Sequence, residues 1–223
     1  PDLSWERQST VNAGLEFGLF DYRLSGSVGY FRNVRDGFLF SKDLLWEAGG
    51  YDQYQNAGKM HSQGVELSLN GTLLRVAGLT WGATANITFM QYKIDRLAGE
   101  KEIDLAEVML REGETPFTFS LPHYEGVDSQ TGKPLYSGED GKVVDKYDYA
   151  GLRKFLRGKS TLPKGFGGFG TYVTYKGIDF SADFSFKYGN YILNYMAKNM
   201  ISDGDNAAEN QRKEAANYWK KPG

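Results

Sequence analysis

Cysteine is absent from the 223-residue sequence. Disulfides, thiolate metal sites and a Cys nucleophile are thereby excluded. The two histidines, His61 and His123, leave little room for a His-based metal site or triad. Neither sign of charge dominates: 26 Lys and Arg stand against 28 Asp and Glu, a formal net charge of −2. A nucleic-acid binder should carry a clear basic excess, so no such partner is expected. Long apolar runs are also missing. The longest stretch without a polar residue, Gly165 to Gly170, is mostly glycine. A spanning helix needs about 18 apolar residues or more, and the mean hydropathy is only −0.51. No leader segment is visible. The chain opens at Pro1 rather than Met, as an internal or processed piece would.

Against six prolines stand 28 glycines, 15 tyrosines, 14 phenylalanines and four tryptophans. That balance suits a β protein rich in turns. It also suits a membrane β-barrel, which hides its hydrophobicity by alternation. In Gly64 to Leu73, Val65, Leu67, Leu69 and Leu73 fall on one parity and Glu66, Ser68, Asn70 and Thr72 on the other. Period 2 of this kind is a strand with one apolar and one polar face. From Ile178 to Tyr188 the even positions include Ile178, Phe180, Phe184 and Phe186, and the odd ones Asp179, Asp183 and Lys187. Similar alternation marks six long strands, over about 4–19, 23–40, 57–75, 79–97, 165–176 and 177–190. Expected is an all-β, antiparallel meander.

The connections alternate as well. Short turns at Phe20-Asp21-Tyr22, Val76-Ala77-Gly78 and Lys176-Gly177 are interleaved with long segments at about 41–56, 98–164 and 191–223. Brief turns at one end and long loops at the other are the habit of membrane barrels. Two loop stretches, Lys101 to Arg111 and Ala207 to Lys220, carry helix-like spacing or composition and are expected as short helices.

Candidate site residues follow from this layout. Glu66, Asp179, Asp183 and Lys187 on the polar parity would face a lumen, or else be plain solvated surface. The loop aromatics Trp46, Tyr51, Tyr54, Tyr124 and Tyr136 are candidates for substrate or partner contact. Loop packing or an interfacial aromatic belt would use the same residue types. Asp128, with Glu139 twelve positions along, invites a calcium-loop reading, but Gln130 and Gly132 are poor ligands, so a turn is expected and no metal. The glycines of Gly165 to Gly170 precede no helical pattern and do not read as a phosphate loop. Neither a nucleophile elbow nor a paired-carboxylate cleft is present, so neither an enzyme nor a cofactor is expected.

Several short motifs then occur in one order. Leu3-Ser4-Trp5-Glu6, Asn12 to Phe20 and Arg23 to Val28 come first. They are followed by Asn56-Ala57-Gly58-Lys59-Met60 and Gly64-Val65-Glu66-Leu67. Gly126-Val127-Asp128 with Thr131-Gly132, then Pro163-Lys164 with Gly167-Gly168-Phe169, Tyr188-Gly189-Asn190 and Trp219 to Gly223 complete the series. This series resembles the C-terminal half of the barrel in the SusC/RagA family of TonB-linked outer-membrane transporters. The resemblance implies a location in the outer membrane of a Gram-negative bacterium, contact with its lipid, and import of glycans or peptides with a SusD-like surface lipoprotein. It also implies a TonB complex acting through a TonB box and plug outside these residues. Six strands fall short of the roughly 22 of such a barrel. Two alternatives stay open: a soluble or surface glycan-binding β-sandwich or adhesion protein, and a simple diffusion porin. A sandwich would pack the apolar parity against a second sheet; a transporter would turn it to lipid.

Overall fold

The computed structural model describes residues 3–43, 52–138, 141–201, 208 and 210–222. In chain order the strands are β1 (Arg7–Leu19), β2 (Leu24–Asp36), β3 (Leu39–Asp43), β4 (Asp52–Asn56), β5 (Gly58–Val76) and β6 (Leu79–Leu97). Six short ones follow: β7 (Glu102–Leu105), β8 (Val108–Arg111), β9 (Thr118–Pro122), β10 (Tyr124–Val127), β11 (Pro134–Ser137) and β12 (Val143–Val144). A four-residue helix α1 (Tyr149–Leu152) leads into β13 (Arg153–Ser160), β14 (Gly165–Tyr175) and β15 (Ile178–Tyr188), and a second helix is α2 (Tyr195–Met200).

The six long strands form one sheet in the order β1-β2-β5-β6-β14-β15, every neighbouring pair antiparallel. This is the meander expected from the alternation. Its three tight turns lie at one end. At Ala77-Gly78 and Lys176-Gly177 both turn residues have positive φ, from 47° to 84°. Two left-handed residues make the hairpin turn whose twist matches the strands, and glycine in second place makes it cheap. The first turn instead runs Phe20, Asp21 and Tyr22 through positive φ, closed by the Arg23 amide donating to the Phe20 carbonyl at 3.1 Å.

Register carries the apolar parity across the whole sheet. Partners in an antiparallel pair point to the same face. One row runs Phe17–Gly26–Leu69–Ala85–Phe169–Phe184, and the next towards the long loops runs Leu15–Val28–Leu67–Ile87–Gly167–Phe186. Val65, Leu67, Leu69, Ile178, Phe180, Phe184 and Phe186 therefore share one face, Ile178 and Phe180 being 73% and 61% exposed. The alternation breaks at Leu73. A bulge between Thr72 and Leu74 puts Leu74 opposite Trp81. One extra residue reverses the faces beyond it, so Leu74 and Val76 join the apolar side.

The buried core sits at the long-loop end of the sheet. Phe38, Ala57, Ile94, Leu97 and Leu110 form it, with Phe40, Met60, Ile103 and Leu105 packed around them. These residues belong to the ends of the long strands and to the segments folded above them. β2 stops at Asp36, because Gly37 turns with φ +70°, and the chain resumes as the β3–β4 hairpin. The segment between β6 and β14 builds two small sheets of its own, β13-β9-β8-β7 and β10-β11-β12.

The helix expected over Lys101 to Arg111 is wrong: the stretch is the β7–β8 hairpin. Ile103 faces Leu110 and Leu105 faces Val108, so the apolar residues alternate across a turn at Ala106, where φ is +66°. The Asp104 carboxylate accepts from the Ala106 amide at 3.0 Å and fixes that turn. Within Ala207 to Lys220 the regular structure among the described residues is a single 3₁₀ turn, Lys213–Ala216.

Candidate functional site

Opposite the apolar face lies a polar one, and the four sequence-picked residues Glu66, Asp179, Asp183 and Lys187 all stand on it. Glu66 and Lys187 occupy one cross-strand row, Glu66–Thr88–Phe166–Lys187. Three strand spacings of ~4.8 Å set them roughly 14 Å apart, too far to pair directly. Asp179 accepts from Thr174 Oγ1 at 2.6 Å beside the Lys176-Gly177 turn. Asp183 lies across Gly170, where an added Cβ would meet its Oδ1 at 2.2 Å. All four are exposed. They share a face but form no cluster.

This face is concave. Asn12, Glu16, Phe31, Glu66, Thr88 and Phe166 are among the residues around an open trough of about 830 Å³. Glycines keep the polar face shallow, with aromatics laid over two of them. A Cβ on Gly64 would sit 2.7 Å from the Phe31 ring, and one on Gly82 2.2 Å from that of Tyr172. Each ring and glycine are direct cross-strand partners, an arrangement that recovers packing a glycine lacks. The carboxylates and hydroxyls of the face offer hydrogen bonds, and Lys187, Arg35 and Arg75 add positive charge, but the face holds no arrangement for bond-breaking chemistry. Among the described residues no group of three or more His, Asp or Glu is placed to hold a metal ion.

Above the trough, residues 98–164 are fastened to the top of β6. The Ile94 amide donates to the Glu114 carbonyl at 3.0 Å, Gly113 returns a bond to Ile94 at 2.8 Å, and Glu112 Oε1 accepts from the Leu97 amide at 2.7 Å. The β8–β9–β13 part is organised by Arg153, whose side chain is only 8% exposed. Its Nε donates to the Ser120 carbonyl at 2.9 Å, its Nη1 pairs with Asp104, and its guanidinium lies 5.4 Å from the Tyr149 ring. Sequence reading missed this node. The run Arg153 to Ser160 reads as a polar stretch, and its partners are 33 and 49 residues away.

Tyr124 and Tyr136 are brought together as partners on β10 and β11, ring centroids 5.9 Å apart and edge to face. Tyr147 adds a third ring 5.1 Å from Tyr136. Burial, then the neighbouring Tyr147 and Tyr124 phenols, push the Tyr136 phenol above its ordinary value. Tyr124 and Tyr147 stay 54% and 55% exposed, so the trio is an open aromatic surface with a covered centre. Tyr54 stands apart on the β3–β4 hairpin and is 61% exposed. Trp46 and Tyr51 lie outside the described residues.

The Asp128 stretch is a turn. The Asp128 carboxylate accepts from the Gln130 and Thr131 amides, both at 2.8 Å. Those bonds, the Thr131 amide first, hold its carboxyl below the usual carboxylate range. One oxygen, Oδ1, accepts both bonds, and Glu139 lies outside the described residues. Two of the motifs noted in the sequence meet at this turn. Trp219 Nε1 donates to the Ser129 carbonyl at 3.0 Å, and its ring covers Gly132. The C-terminal connection is pinned twice more. The Tyr191 amide donates to the Ser160 carbonyl at 2.8 Å, and the Tyr195 phenol bonds Glu107, which raises its pKa.

Comparison with known proteins agrees with this architecture. Residues 1–121 match the family described as "TonB dependent receptor-like, beta-barrel". TonB-dependent receptor P26 of Formosa agariphila is 28% identical over 221 residues, covering 89% of this chain and 22% of that receptor. TonB-dependent receptor SusC of Bacteroides thetaiotaomicron is 33% identical over 104 residues, 46% of this chain and 10% of that one. The solved structure of the RagAB peptide transporter superposes with a TM-score of 0.86 at 30% identity, over 99% of this chain and 25% of that chain. The sequence thus spans about a fifth to a quarter of the longer proteins it matches over most of its length.

Proposed function

Because the chain belongs to the TonB-dependent receptor-like β-barrel family, as a SusC/RagA-type segment of the outer membrane, we propose that it is a wall of an energy-coupled importer. The observation that carries this is the two-faced sheet. Its apolar rows are uncovered while its polar rows line a trough, the reverse of a water-soluble layer. A sandwich would need a second sheet over Phe180, Phe184 and Ile178. Among the described residues none covers them, and they are 56–73% exposed.

In this reading Glu66, Asp179, Asp183 and Lys187 face the lumen or the plug that fills it. The long-loop end faces outward, where the SusC and RagAB likeness supports a SusD-like lipoprotein as partner and a glycan or peptide as cargo. Energy would arrive from the TonB complex through parts of the transporter beyond these residues. Tyr54, Tyr124 and Tyr136 are the surface aromatics best suited to partner or cargo, because rigid rings give contact area at little entropic cost.

The test uses the full-length transporter with Tyr124→Ala and Tyr136→Ala together. Barrel assembly should be unchanged, while lipoprotein affinity or cargo uptake falls by about 2 kcal/mol, roughly 30-fold, as for an interface hot spot. Unchanged affinity and uptake would return both rings to loop packing. Lost membrane insertion would make the aromatic sheet structural.

A further inference from the structure

The apolar face does not fade evenly at its two margins. At the short-turn end it runs out in Leu19, Leu24, Val76, Leu79 and Ile178. At the long-loop end, above the row of Tyr30, Val65 and Phe89, three successive cross-strand rows on the same face change character. The first carries Arg32, the second His61 and Lys93, the third Arg7, Lys59 and Arg96. The single acid at these positions is Asp36, which meets Arg96 at 3.9 Å. Asp95, the bulge residue of β6, is taken up by His61 at 2.8 Å. Arg7, Arg32, Lys93 and Arg96 are exposed. The whole chain is slightly acidic, so five cations against two acids, Asp36 and Asp95, in this collar is a local concentration.

We propose that this collar binds the phosphate-bearing headgroup of an outer-leaflet lipid whose acyl chains lie on the apolar rows below. The inference rests on the barrel reading, which makes the long-loop end the outer one. From Arg32 to Asp36 the collar runs four residues along β2, ~13 Å at ~3.3 Å each, or roughly 9 Å of height at a tilt near 45°. Headgroup layers are about 5–8 Å deep on each side of the hydrocarbon, so the cations sit at phosphate level. Guanidinium and ammonium groups at that level complement phosphate directly. A basic collar at one margin alone matches a bilayer whose two leaflets differ. Charge complementarity continuous with an apolar face selects a lipid over a soluble anion.

The experiment takes the full-length transporter into nanodiscs of phosphatidylcholine with and without monophosphorylated lipid A, and counts retained lipid A by native mass spectrometry. Arg32→Gln with Lys93→Gln should lower retention on the order of 20- to 30-fold, about fivefold for each cation removed near an anionic surface. Added salt should weaken wild-type retention. Arg32→Lys, which keeps the charge, should stay within about threefold of wild type. Equal retention in the double variant and wild type overturns the proposal. Competition by inorganic phosphate as effective as lipid A itself overturns the lipid assignment, and a change of oligomeric state with retention intact reassigns the collar to a second copy. Failure to enter either nanodisc would instead refute the barrel reading, a separate outcome.

Discussion

Phe184→Arg offers the sharpest reading of which face meets lipid. Phe184 stacks on Phe169, centroids 5.0 Å apart and planes 18° from parallel, and is 56% exposed. β15 has eleven residues, so at ~3.3 Å per residue its ends lie roughly 33 Å apart, or about 23 Å in height at a tilt near 45°. That matches an apolar band about 25 Å tall. Phe184 is one residue from the middle of the strand, within about 3 Å of the midplane. A cation there costs ~2–4 kcal/mol in lipid. Ser185 is its chain neighbour on the opposite face, and Ser185→Arg should cost no more than ~0.5 kcal/mol, as for an ordinary wetted site. The assay is denaturant unfolding of the full-length protein in lipid vesicles, followed by tryptophan fluorescence. The reasoning fails if the two arginines cost the same, or if the one at 185 costs more.

Two further outcomes are expected. The Asp128 carboxyl has a lowered folded pKa, so the stability its turn contributes is fully present above the ordinary carboxylate value and is lost as pH falls through the folded one. Amide exchange at Gln130 and Thr131 should accelerate on acidification, and Asp128→Asn should abolish that pH dependence; a pH profile surviving the substitution would place its origin elsewhere. Asp104→Ala strands the buried Arg153 guanidinium and should destabilise the β7–β13 sheet by roughly 3 kcal/mol, whereas Arg153→Met should cost less than half as much. Limited proteolysis of the 98–164 segment reads the difference, and equal sensitivity of the two variants would contradict the account.

What the sequence made legible was the wall. Alternation over Ile178 to Tyr188 and Gly64 to Leu69, with Ala77-Gly78 and Lys176-Gly177 between strands, suffices to order the sheet, because each signal is local. The bulge at Leu73 left no local signal, since a single extra residue reverses parity without changing composition. The β7–β8 hairpin reads as a helix along the chain because a short apolar run fits both periods, and Asp104 and Ala106 decide it through a turn. Tyr124 and Tyr136 were singled out as aromatics, yet their pairing depends on the register of β10 with β11. Arg153 was invisible because its meaning lies wholly in distant partners. Trp219 and Gly132 each belong to a legible motif, but no pattern along the chain joins residues 87 positions apart.

The hydrogen bond from the Met90 amide to the Lys164 carbonyl, at 2.8 Å, has an evolutionary side. It closes the base of the whole intervening segment at the place where β6 begins to pair with β14. The wall is continuous whether the chain between these two residues is short or long, since both ends are already neighbours. Surface loops bear changes of length at small entropic cost when their ends stay fixed. The segment between Leu97 and Lys164 can therefore change in length while β6 keeps its pairing with both β5 and β14. The order and register of the six long strands do not depend on that length.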